Sequence, residues 1–405
     1  MRHRGIGRMI QPIGQLERRM QACSREATVA IKQWVGLFSL LAILSSGLRA
    51  EPGVSDTEIL IGQSAAFSGP AEQLGKQMAA GAKVYFDHVN QNGGIHGRKI
   101  RLLSLDDGYE PDRAKANTLK LINAEKVFAL FGYVGTPTSL AALPIFTEEK
   151  VPFFGAFTGA QALREPFNRY IFNVRAGYNE ETEEIVNQLL TLSLKRIAVF
   201  YQNDAYGQAG LKGVTEALAR RKLAPVVTGT VERNSSDVAA AVKAIGPVKA
   251  DAVIMVSAYK SVSAFVKAMK REGFNTQFHN VSFVGSMALA KELGADGSGV
   301  AVAQVMPFPW RGTLKIVRDY QEMMKKAGKD NIDFVSLEGY VAAQVLVEGL
   351  RRTGKDLTRD KLISGLESMS KTDVGGFAIN FSKTSHNASS FVDLTIIGKN
   401  GKFFR

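Results

Sequence analysis

The sequence predicts an α/β protein built as two domains around parallel sheets, and three observations carry that reading. From Thr57 onward, short apolar runs alternate with helical patterns, the signature of parallel strand–helix units. Two of those runs, 197–201 and 252–256, are almost wholly apolar, as strands covered on both sheet faces are. A chain of 405 residues, 45% hydrophobic and 22% charged, also has the composition and length for two cores.

The first series opens with a strand at 59–61. A helix follows in which Met78, Ala82, Tyr85, Phe86 and Val89 fall on one stripe, closed by Gly93-Gly94. A strand at 100–105 comes next, and Pro111 then opens a helix with Ala114, Thr118, Leu121 and Ile122 on one face. Residues 128–131 and 152–154 supply two more strands, with a helix over about 137–149 between them. The second series begins after Asn173-Val174-Arg175 and contains the two apolar strands named above. Its clearest helix is 261–272, with Val262, Phe265, Val266 and Met269 facing inward and Gly273 as terminator. After Met306-Pro307-Phe308-Pro309 the pattern is helical at about 314–327, 336–352 and 359–367. The chain finishes in strand-like segments at 376–381 and 391–397, with a turn at Asn400-Gly401.

Residues 33–48 carry no charge, follow Lys32 and run into Leu48-Arg49-Ala50, which reads as a secretory signal peptide over 1–50, cleaved after Ala50. A permanent anchor would need roughly 20 apolar residues, whereas this stretch includes three serines and two glycines. The charged stretch before it is long for a leader, so Met9 and Met20 stand beside Met1 as candidate translation starts. Cys23, the only cysteine, lies in the leader; the mature chain then has no disulfide, thiol catalyst or cysteine metal site. Of the net charge of +13, the leader supplies +6 (eight Lys and Arg against Glu17 and Glu26), leaving +7. The clusters Arg220-Arg221-Lys222 and Arg351-Arg352 lack interleaved aromatics and close helical patterns. They read as helix-end cations, and no nucleic-acid partner is expected.

Constellations for catalysis are missing: there is no nucleophile elbow, Walker loop, dinucleotide fingerprint or His-Glu-x-x-His. His88, His96, His279 and His386 are scattered without metal-ligand spacing. The reading is therefore no enzyme, no metal and no cofactor. Asp106-Asp107 with Glu110-Pro111-Asp112 has the look of an acid–base pair but suits the first turn of a helix better. Two glycine-bearing loops follow apolar strands of the first series, 132–138 (Gly-Tyr-Val-Gly-Thr-Pro-Thr) and 155–159 (Gly-Ala-Phe-Thr-Gly). In open α/β sheets the carboxyl ends of strands line the ligand crevice. A helix starting near Pro137 would aim free amides there, ready for a carboxylate; a plain N-cap using Thr136 is the alternative.

An ordered set of fragments adds to this reading: Ala66-Phe67-Ser68-Gly69-Pro70, Asn92-Gly93-Gly94-Ile95-His96-Gly97-Arg98, Asp106-Asp107, the two loops, and Tyr201-Gln202-Asn203-Asp204-Ala205-Tyr206-Gly207. The set resembles the leucine, isoleucine and valine-binding family of periplasmic receptors for ABC importers, from about Thr57 to the C-terminus. The resemblance implies a type I periplasmic binding fold, with two Rossmann-like lobes joined by three crossovers that act as a hinge. The crossovers would lie near Arg175, Phe308 and Val374. The first lobe would combine 57–175 with 308–373, and the second 176–307 with 374–405.

It further implies a periplasmic substrate-binding protein that takes an amino acid, or a related small carboxylate or amide, and hands it to permease subunits. A ligand-sensing regulator on the same fold is the alternative function. By the family's pattern Thr136 offers a hydroxyl and amide to the ligand, and Ala156 and Thr158 offer a carbonyl and a hydroxyl. Tyr206 and Tyr259 match its aromatic positions, and Leu74 its apolar wall. One position departs: Ser282 stands where amino-acid binders place an acid for the ligand's ammonium. A buried ammonium without a carboxylate is costly, so either another acid such as Asp204 or Glu338 substitutes, or the ligand has no amine.

Overall fold

The computed structural model describes residues 51–329 and 332–405; the leader, its cleavage point, Cys23 and the alternative starts lie outside the described residues. Two sheets organise the chain. The first is parallel throughout, made of β1 (Glu58–Ala65), β2 (Lys99–Asp106), β3 (Ala129–Phe131), β4 (Phe153–Phe154) and β5 (Ile171–Phe172) in the order β2-β1-β3-β4-β5. Helices α1 (Glu72–Gln91), α2 (Pro111–Leu119) and α3 (Thr136–Glu148) connect its strands.

The second sheet has a parallel body of β6 (Ile197–Gln202), β7 (Thr228–Val231), β8 (Ala252–Val256), β9 (Gln277–Asn280) and β10 (Ala301–Gln304). Every residue of β8 is fully buried, which is why its sequence carries no polar alternation. The helices of this half are α4 (Tyr178–Thr191), α5 (Ala205–Ala219), α6 (Ala239–Ile245), α7 (Tyr259–Arg271) and α8 (Ser286–Leu293).

Three further helices, α9 (Lys315–Lys326), α10 (Phe334–Arg352) and α11 (Arg359–Glu367), start and end within two residues of the predicted bounds. Apolar α10 returns to the first half and lies directly on α1. A Cβ on Gly81 would stand 1.7 Å from the Ser336 carbonyl oxygen, and one on Gly339 would stand 2.1 Å from that of Met78. Only glycine permits backbones this close.

A short hairpin of β11 (Thr372–Asp373) and β12 (Ala378–Ile379) follows. The chain then stays with the first sheet. Asn173, just past β5, donates its N–H to the His386 carbonyl at 2.8 Å and accepts from the Ala388 N–H at 2.9 Å, and the His386 ring stacks on Phe172 at 3.7 Å. Beyond this tie come β13 (Asp393–Ile397) and β14 (Phe403–Phe404), joined by a tight turn in which Asn400 has φ 71°. They add antiparallel to the edge of the second sheet, giving the order β14-β13-β10-β9-β8-β6-β7. Among the described residues no helix is long and apolar enough to cross a membrane.

Candidate functional site

The carboxyl ends of β3 and β4 deliver two hydroxyls to one buried spot. β3 runs into Gly135, whose φ of +104° and the Tyr109 ring 2.2 Å from where a Cβ would stand leave room only for glycine. Gly135 is the N-cap of α3, so the alternative of Thr136 as a plain N-cap gives way. The Thr136 hydroxyl instead lies 2.6 Å from that of Thr158, on the loop after β4. Thr158 also meets the Tyr178 hydroxyl at 3.2 Å, and its N–H donates to the Ala156 carbonyl at 2.9 Å.

The second sheet brings its own strand ends to the same junction. After β6, Asp204 caps α5 through the amides of Tyr206 and Gly207, which fixes Tyr206 in the first turn. The Tyr206 ring lies 5.5 Å from Tyr178 and 4.5 Å from Phe283, and its buried hydroxyl has no hydrogen-bond partner. Phe283, just beyond β9, also packs on Phe157 at 5.3 Å and Tyr109 at 5.9 Å. The two halves are tied at this point, Gln202 Nε2 donating to the Tyr109 hydroxyl at 3.1 Å.

Leu74 and Tyr259 form a neighbouring contact at Gly285. A Cβ there would stand 2.4 Å from Leu74 Cδ2 and 3.7 Å from Tyr259 Cδ1, and the Gln73 N–H reaches the Tyr259 hydroxyl at 3.4 Å. Tyr259 and Gln73 also border an open groove of about 920 Å³ with Lys260 and Met287. The Thr136–Thr158 pair does not line that groove.

At Ser282 the acid that the sequence leaves out comes from elsewhere. Glu181 of α4, fully buried, accepts the Ser282 N–H at 2.6 Å and the Ser282 hydroxyl at 3.0 Å. Arg175 is equally buried and donates to Glu181 at 2.9 Å and to the Ser282 hydroxyl. Its other side faces Glu338 of α10 at 3.5 Å, and it lies over the Phe157 ring at 5.1 Å. Burial pushes the carboxyl of Glu338 up to about 7, against the pull of Arg175. It raises that of Glu181 as well, against Arg175 and Ser282. For Arg175 burial disfavours the charge, but Glu338 and Glu181 outweigh it and hold its pKa above the ordinary value.

Of the two acids weighed as substitutes, Glu338 therefore stands beside Arg175. Asp204 is committed to the α5 cap and to Gln202 at 2.6 Å. Sequence reasoning missed Glu181, Tyr109, Tyr178 and Phe283 as members of the site, and Arg175 as more than a crossover. A signal existed for Glu181: it falls on the inward stripe of Tyr178, Thr182, Ile185 and Val186, where a charge is rare unless paired.

The aspartate pair proves architectural. Asp106 accepts the amides of Phe67, Ser68 and Gly108 and pairs with Arg113 at 2.8 Å. Asp107 accepts from Ser64 at 2.7 Å and from the Tyr109 amide at 2.8 Å.

Strand ends of two Rossmann-like halves facing one buried polar junction are the geometry of a two-lobed receptor, and residues 58–402 match the model of the periplasmic binding protein family. This chain belongs to that family. Among similar periplasmic binding proteins, the Leu/Ile/Val-binding protein homolog 7 of Brucella abortus (strain 2308) is 26% identical over 368 residues, covering 86% of this chain and 91% of that protein. A possible leucine/isoleucine/valine-binding protein from Rhodopirellula baltica SH 1 has a solved structure 34% identical, with a TM-score of 0.83, covering 89% of this chain and 98% of that one. The fold alone extends to a branched chain amino acid ABC transporter protein from Thermus thermophilus with bound valine, at 19% identity and a TM-score of 0.78 over 87% of this chain and 96% of that one. Periplasmic binding proteins take small-molecule ligands such as amino acids and work with ABC transporters.

Proposed function

We propose that this chain is the periplasmic receptor of an ABC importer. It binds an amino acid or a related small carboxylate or amide between its lobes, performs no catalysis, and delivers the ligand to permease subunits after its leader is removed following Ala50. The observation that carries the reading is two buried polar atoms without hydrogen-bond partners, the Tyr206 hydroxyl and Arg175 Nε, whose side chains both lie against Tyr178, the tyrosine that meets Thr158. A buried polar atom left without a partner costs free energy, and a polar ligand between the lobes would satisfy these two. Thr136, Thr158, Ala156 and Tyr206 would hold its polar end, with Leu74 and Tyr259 at the apolar wall and Ser282 at the far pole. The lobe division we propose keeps 57–175 and the segment from 308 in the first lobe but carries that lobe on to Ala388, since 386–388 remain hydrogen-bonded to Asn173. Residues 176–307 and the tail then make the second.

A thermal-shift screen of amino acids, organic carboxylates and amides tests the function, because a ligand at 100 times its Kd stabilises by about 2.7 kcal/mol. With the ligand so found, Thr136→Ala and Thr158→Ala should each weaken binding about ten- to a hundredfold, each hydroxyl contributing about 1.5–3 kcal/mol to a charged group. Unchanged affinity in both variants would move the site elsewhere.

A further inference from the structure

The charges around Ser282 bear on which ligands the cleft accepts. A ligand ammonium entering that pole needs a free carboxylate. Glu181 is already committed: its charge is paired with Arg175 Nη2 and its oxygens also take the Ser282 N–H and hydroxyl. Glu338 faces the same guanidinium at 3.5 Å, and its carboxyl, raised to about 7 by burial, carries only part of its charge at neutral pH. Asp204 is held in the α5 cap and by Gln202. The cation beside Ser282 is thus one of the protein's own, Arg175, fixed over Phe157 and Tyr178 at 5.1 and 6.0 Å.

The same guanidinium keeps Nε without a hydrogen-bond acceptor while its Nη1 is ion-paired with Glu338, and the hydroxyl of Tyr206, whose ring lies against Tyr178, is likewise unpaired. Around them stand the rings of Phe157, Tyr178, Tyr206 and Phe283. An unused guanidinium donor and a free phenol hydroxyl within aromatic walls suit an anion with an apolar body, and no carboxylate among the described residues of this pole is left uncommitted to hold an added ammonium.

We infer that Arg175 is a specificity-determining residue that makes the cleft select amine-free carboxylic acids with an aromatic or branched aliphatic body over the matching α-amino acids. This rests on the proposed role of the inter-lobe junction as a carboxylate site. The test is calorimetric titration of the whole protein, exhaustively dialysed, with two probe pairs that differ only in the amine. These are 3-phenylpropanoate against L-phenylalanine, and 4-methylpentanoate against L-leucine. In at least one pair the amine-free acid should bind at least tenfold tighter. Arg175→Met, which releases Glu181 as a counter-charge, should erase or invert that preference.

If in neither pair the amine-free acid binds at least tenfold tighter, the inference is overturned and the carboxylate-receptor reading stands. No binding by any of the four probes overturns the inference, and the carboxylate-site reading falls with it if the wider thermal-shift screen also yields no carboxylate. A folded Arg175→Met variant that keeps the wild-type preference removes Arg175 as its cause, and if that variant fails to fold the wild-type comparison decides alone.

Discussion

Glu338 sits in the middle of a helix whose neighbours Leu337, Tyr340, Val341 and Ala342 are all buried, and its titration should be visible in stability. Its carboxyl is raised from 4.5 to about 7 in the folded state by burial, Arg175 opposing. Between those values the folded chain holds a proton that the unfolded chain releases, so this group makes stability fall as pH rises through that window. Asp107, raised by burial to about 6, acts in the same direction. Its slope persists in a Glu338→Gln variant, so the difference between the two proteins reports Glu338 together with Glu181, which shares Arg175 with it. From pH 5 to pH 8 the ligand-free wild type should lose on the order of 2 kcal/mol more than Glu338→Gln, measured by denaturant unfolding. Parallel pH profiles would mean that Glu338 is ionised and compensated throughout.

At the scale of elements, the packing of α10 on α1 depends on two glycines whose replacement sets backbone against side chain. A methyl group at Gly81 would meet the Ser336 carbonyl at 1.7 Å, and a helix backbone cannot yield as the tip of a flexible side chain does. Gly81→Ala should therefore destabilise by about 1–3 kcal/mol or more, although alanine is the better helix former at an exposed site. Thermal unfolding reads this directly. A variant as stable as the wild type would show that the two helices part without cost.

The whole molecule, as described, has its halves in contact beyond the central junction. Arg233 pairs with Glu110 at 2.8 Å, and Asn234 donates to the Glu110 carboxylate at 2.7 Å and to the Gly108 carbonyl at 3.1 Å. These contacts are part-buried and few, and ion pairs still open to solvent contribute little each, so a ligand bridging the halves should set the balance between open and closed states through its differential affinity for the closed one. Small-angle scattering should show a smaller radius of gyration with saturating ligand than without. An unchanged radius would count against hinge closure.

The alternation of strands and helices, the bounds of α9, α10 and α11, and the loops that hold Thr136 and Thr158 are all legible in the sequence. Each is written locally, in periodicity, in glycines that need positive φ, and in the residues flanking a strand end. Even the departure at Ser282 is visible there. What replaces the missing acid is not, because Glu181 and Ser282 lie 101 positions apart and Arg175 reaches them from the segment after β5. A charge on an apolar stripe says only that a partner must exist. Which partner it finds depends on how two sheets and a returning helix meet, and so the tertiary structure alone decided that Arg175, Glu181 and Glu338 share one buried site.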